Sequence, residues 1–163
     1  MGVVFAITGE GTMNVLLTKR SHRMRDEPDK MCVPCGYLDW DETMYEGMMR
    51  EVYEESSLYL PDYKKYLMFN YGEQPFRVKD KPKEDKRQNV SHLYVSVYDF
   101  RDNMDKFPAD IINFFCKETA LVQWMKMVEF YETYKNYKWA FGHDETIKSA
   151  LEFFNKNFND IRK

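Results

Sequence analysis

The sequence has few of the features that mark disulfide-stabilised, membrane-spanning or nucleic-acid-binding proteins. Its 163 residues include three cysteines, an odd number that argues against a disulfide framework. No apolar run is long enough to span a bilayer, and the N-terminus lacks a basic segment followed by an apolar signal core. Lysine and arginine total 24 against 27 acidic residues, so no overall basic field favours nucleic acid. These absences predict a cytoplasmic chain without nucleic-acid or membrane partners.

Length and composition favour one enzyme-sized domain. Repeats and low-complexity linkers are absent, and 163 residues suffice for a sizeable core, so we expect a single domain over residues 1–163. Aromatic residues make up 17% of the chain, beside eleven methionines. Most of these side chains are expected to fill the core, although some are candidates for stacking on a base.

Hydrophobic periodicity predicts strands, a central helix, further strands and a closing helix. The closing helix is Asp144–Phe158, Pro108–Lys117 is compatible with a short helix, and residues 72–88 form a long polar loop. The expected strands are Val3–Thr8, Met13–Lys19, Met31–Pro34, Tyr66–Tyr71, Val90–Phe100 and Leu121–Val128. Such an order predicts an α/β or α+β domain.

The stretch from Gly36 to Leu58 contains an unusual concentration of carboxylates. In a helix, Glu51, Glu54 and Glu55 share one face, because steps of three and four residues return to the same side. Three anions there repel one another, and Arg50, one turn before Glu54, offsets only part of that repulsion. A hard divalent cation such as Mg²⁺ would neutralise the cluster. The alternative is a solvated acidic helix face.

The spacing of this stretch resembles the Nudix box of MutT-like pyrophosphohydrolases. That pattern is Gly, five residues, Glu, seven residues, then Arg-Glu-apolar-x-Glu-Glu-x-Gly-apolar. The matching positions are Gly36, Glu42, Arg50, Glu51, Val52, Glu54, Glu55 and Leu58. Ser57 stands where the pattern has Gly. A Gly there would suit a helix that ends in the left-handed conformation. The resemblance implies an α/β/α sandwich with a mixed central sheet.

The same resemblance implies the roles of the box residues. Glu51, Glu54 and Glu55, with the Gly36 carbonyl, would hold Mg²⁺, for which Mn²⁺ can substitute. Arg50 would orient a box glutamate rather than touch substrate. Together with Glu51 and Glu54, it belongs to the expected catalytic set.

A general base is expected either in the box or outside it. Glu118, six residues before Trp124 at the mouth of a strand, is the first candidate outside the box. An ordinary strand-edge charge is the alternative interpretation of Glu118. Glu73, Asp80 and Glu84 in the long loop are weaker rivals.

The sequence gives less information on substrate binding. Arg20 and Arg25 belong to a segment similar to the motif that precedes the box in coenzyme A pyrophosphatases, but three of that motif's positions are absent. Both arginines are candidates for phosphate contacts, with a solvated basic loop as the alternative. Trp124 and Phe141 are candidates for stacking on a base. The motif of NADH-directed relatives is absent.

Cys32 and Cys35 form a CxxC pair, which could indicate zinc or redox chemistry. Cys116 adds only one more sulfur, and no second CxxC is present. In the resemblance, Pro34-Cys35-Gly36 stands where Pro-Gly-Gly is usual, so Cys35 occupies a position chosen for its backbone.

The predicted function is Mg²⁺-dependent cleavage of a nucleoside diphosphate linked to another moiety. A coenzyme A-type specificity of the same chemistry is one alternative, and a diphosphate isomerase on the same fold is another, although it would need a His-rich metal site. A non-catalytic nucleotide sensor with this fold is the third. The expected partner is a small nucleotide, and a homodimer is possible.

Overall fold

The computed structural model describes residues 1–9, 11–71, 74–80 and 90–161, with the backbone alone at positions 112–113 and 159–161. The strands are β1 (Gly2–Thr8), β2 (Thr12–Arg20), β3 (Met31–Cys32), β4 (Leu67–Asn70), β5 (Arg77–Lys79), β6 (Ser91–Asp99) and β7 (Thr119–Lys126). The α-helices are α1 (Met44–Ser56), α2 (Met127–Thr133) and α3 (His143–Ile161). Short 3₁₀ turns occupy Leu60–Tyr66, Met104–Lys106, Ala109–Asn113 and Tyr134–Asn136.

The seven strands of the described ranges belong to one mixed sheet, the arrangement that the resemblance implies. β2 pairs antiparallel with β1, β3 and β7, and β1 pairs parallel with β6. Both β4 and β5 pair antiparallel with β6, opposite residues 96–98 and 91–93 respectively. The parallel β1–β6 pair therefore lies at the centre of the sheet, between antiparallel neighbours.

Alternating side chains of the sheet build two separate cores. In β1, Val4 and Ala6 face the layer that contains α1, whereas Val3 and Phe5 face the layer that contains α2 and α3. Strands β1, β2 and β6 are buried on both faces along most of their length, which explains their nearly continuous apolar runs. The architecture is the α/β/α sandwich that the resemblance implies.

Several element boundaries differ from those predicted. The strand expected to run to Val128 ends at Lys126, because Met127 and Phe130 have helical spacing and are both buried as the first turn of α2. The segment Pro108–Lys117 contains only a 3₁₀ turn, and the strand that starts at Met31 ends at Cys32. Within the loop predicted for 72–88, residues 77–79 form β5, whereas 72–73 and 81–88 lie outside the described residues.

No helix in the described ranges combines the length and apolar character needed to cross a bilayer.

Helix α1 begins and ends with specific local structure. At its start, the Thr43 hydroxyl accepts a hydrogen bond from the Glu46 backbone N–H, and the Glu46 carboxylate accepts one from the Thr43 N–H. This capping box was not predicted from the sequence, although Thr and Glu at that spacing are its signal. At the end, Ser57 adopts φ 61° and ψ 11°, the left-handed conformation that favours glycine.

Ser57→Gly is therefore expected to stabilise the fold. A non-glycine residue in the left-handed region costs on the order of 1 kcal/mol, and Ser57 is exposed, so its loss removes no core packing. Thermal unfolding should shift upward by about 2–4 °C. Ser57→Ala is the matched control, because alanine carries the same Cβ. An equal stabilisation by Ala would contradict the backbone explanation.

Candidate active site

Arg50 lies at the centre of the box and donates hydrogen bonds to three carboxylates, with a fourth, Asp39, at 3.5 Å from its Nε. Its Nε and Nη2 donate to the two oxygens of Glu42 at 3.1 and 2.8 Å. Its Nη1 donates to Glu51 at 2.8 Å and to Glu54 at 2.9 Å. Nη2 also donates to the Tyr37 carbonyl at 2.9 Å. The guanidinium thus ties α1 to the loop that precedes it, and its planar fork suits this set of acceptors.

Glu42 joins the loop that precedes α1 to the helix itself through hydrogen bonds. Besides its paired bonds to Arg50, Glu42 Oε1 accepts a hydrogen bond from the Asp39 N–H at 2.8 Å. Gly47, on the first turns of α1, lies against Glu42, and a Cβ built there would come within 2.8 Å of Oε1. Arg50 and the Asp39 N–H both hold the pKa of Glu42 below its usual value. Glu42, the box glutamate eight positions before Arg50, is therefore a structural anchor for the loop.

Gly36 is placed directly against the Glu51 carboxylate. A Cβ built on Gly36 would overlap the carboxylate atoms of Glu51, so no larger residue fits without displacing that side chain. This close approach explains the glycine at the first box position in physical terms. It also brings the Gly36 backbone beside one of the expected metal ligands.

Glu55 is the most deeply buried carboxylate of the cluster, with 4% of its surface exposed. Its pKa is raised to about 8, mainly by burial and also by the negative charge of Glu51, although a hydrogen bond that the Cys35 N–H donates to Oε2 at 3.0 Å acts in the opposite direction. Burial also raises the pKa of Glu51, where contact with Arg50 acts in the opposite direction. Both carboxyl groups are therefore favoured either in their protonated form or, when ionised, beside a cation.

Glu54 lies at the exposed edge of the cluster, with just over half of its side chain accessible, and its only bond among the described contacts is to Arg50. Within the ranges that the structure describes, no three His, Cys, Asp or Glu side chains converge as a finished metal site. Glu51 and Glu54 both point one oxygen at Nη1 of Arg50, at 2.8 and 2.9 Å.

The donor set nevertheless fits a hard divalent cation. The three glutamates and the Gly36 carbonyl offer only oxygen, the ligand type of Mg²⁺ and Mn²⁺. The raised pKa values of Glu51 and Glu55 show carboxylates that a nearby cation would favour in their charged form. A cation would compete with Arg50 for Glu51 and Glu54. This exchange needs new side-chain rotamers but no change of the backbone.

Glu118 lies within electrostatic reach of this cluster. It is exposed immediately before β7, and its carbonyl accepts a hydrogen bond from the Ser21 N–H at 2.7 Å. Its negative charge raises the pKa of both Glu51 and Glu55. The side chain is therefore within electrostatic reach of the box, although its catalytic role stays a prediction. Of the rival candidates, Glu73 and Glu84 lie outside the described residues.

Arg20 and Phe141 form one unit beside the cluster. Arg20 is 7% exposed, its Nε donates to the Asp26 carbonyl at 3.1 Å, and its guanidinium lies 5.2 Å from the centre of the Phe141 ring. The positive charge of Arg20 lowers the pKa of Glu55. Phe141 has φ 54°, a conformation that a bulky residue rarely adopts. Arg25, by contrast, is exposed in the loop that follows β2.

Trp124 is held within the α1 layer of the core. Its indole Nε1 donates to the Pro108 carbonyl at 3.1 Å, and its ring lies 5.4 Å from that of Phe107. The side chain packs against the cluster that contains Val52 of α1. The indole N–H of Trp124 is therefore already paired, and stacking of its ring on a base stays a prediction.

The two CxxC thiols have environments that oppose redox chemistry. Cys32 is buried and contacts the Thr18 hydroxyl at 3.1 Å, and burial raises the pKa of its thiol to about 12. Burial and the Glu55 charge raise the pKa of the Cys35 thiol. Both thiols therefore stay protonated near neutral pH, whereas a reactive cysteine needs a lowered pKa.

Comparison with known proteins places these observations in a family. The model of the NUDIX domain matches residues 1–149. The chain is 43% identical over 49 residues to Nudix hydrolase 3 of Caenorhabditis elegans, covering 30% of this chain and 20% of that protein. It is 36% identical over 58 residues to the m7GpppN-mRNA hydrolase NUDT17 of Bos taurus, covering 36% and 19%. The aligned regions thus span about a fifth of these relatives.

Solved structures share the fold at low sequence identity. A mutT/nudix family protein from Listeria innocua has a TM-score of 0.64 at 22% identity, covering 96% of this chain and 92% of that one. An Ap4A hydrolase from C. elegans has a TM-score of 0.63 at 15% identity, covering 98% and 95%. A bifunctional NMN adenylyltransferase/ADP ribose pyrophosphatase from Francisella tularensis, complexed with AMP and Mn, has a TM-score of 0.61 at 18% identity, covering 93% and 41%.

Proposed function

Because this chain belongs to the Nudix family, we propose that it is a divalent-metal-dependent pyrophosphohydrolase that cleaves a nucleoside diphosphate linked to another moiety. The observation that carries the proposal is the carboxylate cluster of α1, in which Glu51 lies against Gly36 and Glu55 is buried beside it. The proposed site lies in a single domain over residues 1–163.

Glu51, Glu54 and Glu55 would hold the cation, together with the Gly36 carbonyl. The cation, Mg²⁺ or Mn²⁺, would supply charge neutralisation on the phosphate oxygens. Arg50 positions two of these carboxylates through Nη1 and fixes the preceding loop through Glu42. It has no need to touch substrate in this arrangement, because its five N–H groups already face protein oxygens.

Glu118 is proposed as the general base, since it is exposed and within electrostatic reach of Glu51 and Glu55. A carboxylate at the edge of such a cluster can accept a proton from the attacking water. Arg20 and Phe141, packed against each other, are proposed to border the substrate, with Arg25 and Trp124 as the outer candidates.

The names of the relatives support a phosphoanhydride substrate without choosing one. Those relatives include an mRNA-cap hydrolase, an Ap4A hydrolase and an ADP ribose pyrophosphatase, and each of these substrates carries a phosphoanhydride between a nucleoside and another group. The Mn ion in one neighbour supports a divalent cation. Coenzyme A-type specificity stays the alternative within this chemistry, and the expected cytoplasmic location and homodimer stay predictions.

A nucleotide sensor is the second candidate function. NrtR of Shewanella oneidensis, solved with a 27mer DNA, shares the fold at a TM-score of 0.62 and 17% identity, covering 95% of this chain and 60% of that one. All the acidic box positions are present here, which favours catalysis over sensing.

A substrate panel tests the proposal. ADP-ribose, nucleotide sugars, dinucleoside polyphosphates, capped RNA, coenzyme A and nucleoside triphosphates would be incubated with Mg²⁺, with Mn²⁺ and with EDTA, and product release would be measured. Glu54→Gln is expected to lower turnover by at least about 10²-fold, because it removes one anionic ligand. Glu132→Gln, at an exposed position of α2, is the matched control. If no compound of the panel were hydrolysed but one of them bound tightly, the result would favour the sensor function.

A further inference from the structure

The loop between Gly36 and helix α1 exposes large apolar side chains. Tyr37 is 75% exposed, Leu38 is 51% exposed and Trp40 is 97% exposed. Tryptophan is highly buried on average in folded proteins, so an indole that is almost fully accessible is unusual. Neither Tyr37 nor Trp40 contacts another aromatic ring among the residues that the structure describes. These two rings therefore contribute little to the core and are accessible to a ligand.

The backbone of this loop is nevertheless held in place by hydrogen bonds. The Tyr37 carbonyl accepts one from Arg50 Nη2 at 2.9 Å, and the Asp39 N–H donates one to Glu42 Oε1 at 2.8 Å. At the far end of the loop, the capping box of α1 fixes Thr43. The exposed rings thus belong to an ordered backbone, which lowers the entropic cost of binding a ligand to them.

The same loop carries a strong negative charge. Residues 37–49 contain no lysine, arginine or histidine, and their acidic members are Asp39, Asp41, Glu42 and Glu46. Asp39 lies 3.5 Å from the Nε of Arg50, but that guanidinium already binds three other carboxylates. Asp41 forms no ion pair with the described part of the chain. Exposed aromatic rings among carboxylates that lack their own cation attract a positively charged group.

The loop starts beside the carboxylate cluster of the proposed active site. Tyr37 directly follows Gly36, whose backbone lies against the Glu51 carboxylate. Consecutive Cα atoms are about 3.8 Å apart, so Tyr37 is one residue from the place where the phosphates are expected. Trp40 is three residues further along the same exposed stretch. The loop is therefore positioned to contact a group that is attached to the diphosphate.

We propose that Tyr37, Trp40 and the carboxylates of Asp39 and Asp41 select a substrate in which a positively charged aromatic ring is attached to the diphosphate. This inference rests on the proposed function, because it names the substrate class of the same site. The two aromatic side chains would stack on the flat cation, and the carboxylates would balance its charge. N7-methylated guanine and oxidised nicotinamide are rings of this kind. A neutral ring of the same shape would keep only the stacking.

Paired nucleosides that differ in ring charge test this recognition without phosphate or metal. In mildly acidic buffer with EDTA, 7-methylguanosine is a cation and guanosine is neutral, and ligand-observed NMR would give both dissociation constants. The methylated nucleoside should bind about tenfold more tightly. Trp40→Leu, Tyr37→Leu and Asp41→Asn should each reduce this preference to below about threefold. Tyr131→Leu, which removes a half-exposed ring on α2, is the matched control and should keep the preference.

Hydrolysis with Mg²⁺ extends the test to whole substrates. The ratio of kcat/KM should be about tenfold for m7GpppG over GpppG and for NAD⁺ over NADH, and both ratios should fall toward one in Trp40→Leu but not in Tyr131→Leu. Equal binding of the two nucleosides, no binding at millimolar concentration, or equal kcat/KM within both pairs would overturn the proposal. Equally tight binding of a hexalysine peptide would show charge attraction without ring recognition and would also overturn it. If no compound were hydrolysed while 7-methylguanosine was still preferred, the proposed function would fail and the ring recognition would stand.

Discussion

Arg50→Lys is expected to lower kcat/KM by about 10²-fold and to destabilise the fold by about 2–3 kcal/mol. Lysine keeps the charge but offers a single ammonium in place of a planar fork, so it cannot bind both oxygens of Glu42 while also reaching Glu51 and Glu54. Carboxylates left without donors in a half-buried cluster account for the loss of stability. Displacement of the ligands by about 1 Å accounts for the loss of activity.

The measurements are urea unfolding and hydrolysis of the best substrate under saturating Mg²⁺. Arg101→Lys is the matched control, because Arg101 binds the single carboxylate of Asp99 at an exposed turn. That control should change the free energy of unfolding by less than about 0.5 kcal/mol, as exposed ion pairs contribute little. If the two lysine variants changed the free energy of unfolding and the hydrolysis rate equally, the multiple hydrogen bonds of Arg50 would have no special role.

The sequence predicts the site well where chemistry depends on spacing along one helix. The shared face of Glu51, Glu54 and Glu55 and the pairing of Arg50 with Glu54 follow from helical geometry alone, and the structure has both. The end of the helix was left open by the sequence, because serine replaces the glycine of the pattern, and the structure shows that Ser57 nevertheless adopts the left-handed conformation.

Features that depend on tertiary packing were beyond the sequence. The bonds from Arg50 to Glu42 and to the Tyr37 carbonyl require the fold of a loop that no periodicity describes. The helical start of α2 was hidden because the apolar residues up to Val128 fit a strand equally well.

Glu55 is expected to make stability depend on pH when no divalent cation is present. Burial raises the pKa of Glu55 from 4.5 to about 8 in the folded state, so the folded protein holds a proton that the unfolded chain releases above about pH 4.5. Where the folded state binds more protons, the free energy of unfolding falls as pH rises. The fall should span about pH 5 to 8 and reach a few kcal/mol, at about 1.4 kcal/mol per pKa unit.

Two changes should abolish this pH dependence. In EDTA, Glu55→Gln should give a flat profile over that window and be more stable than wild type at pH 8, because a neutral amide has no charge to desolvate. Glu129→Gln, at an exposed position of α2, should leave the profile unchanged. Millimolar Mg²⁺ should stabilise wild type most at pH 8, since a cation bound to the ionised carboxylates lowers their pKa.

The effect of Mg²⁺ connects stability to the proposed chemistry. If Mg²⁺ raised the melting temperature of wild type at pH 8 but not that of Glu55→Gln, the buried carboxylate would be a ligand of the cation. If wild type were equally stable at pH 5 and pH 8 in EDTA, Glu55 would be ionised at both, and a protein cation such as Arg20 would be its counter-ion. The acidic face of α1 would then need no metal ion for folding. Only the activity measurements would then support a metal site.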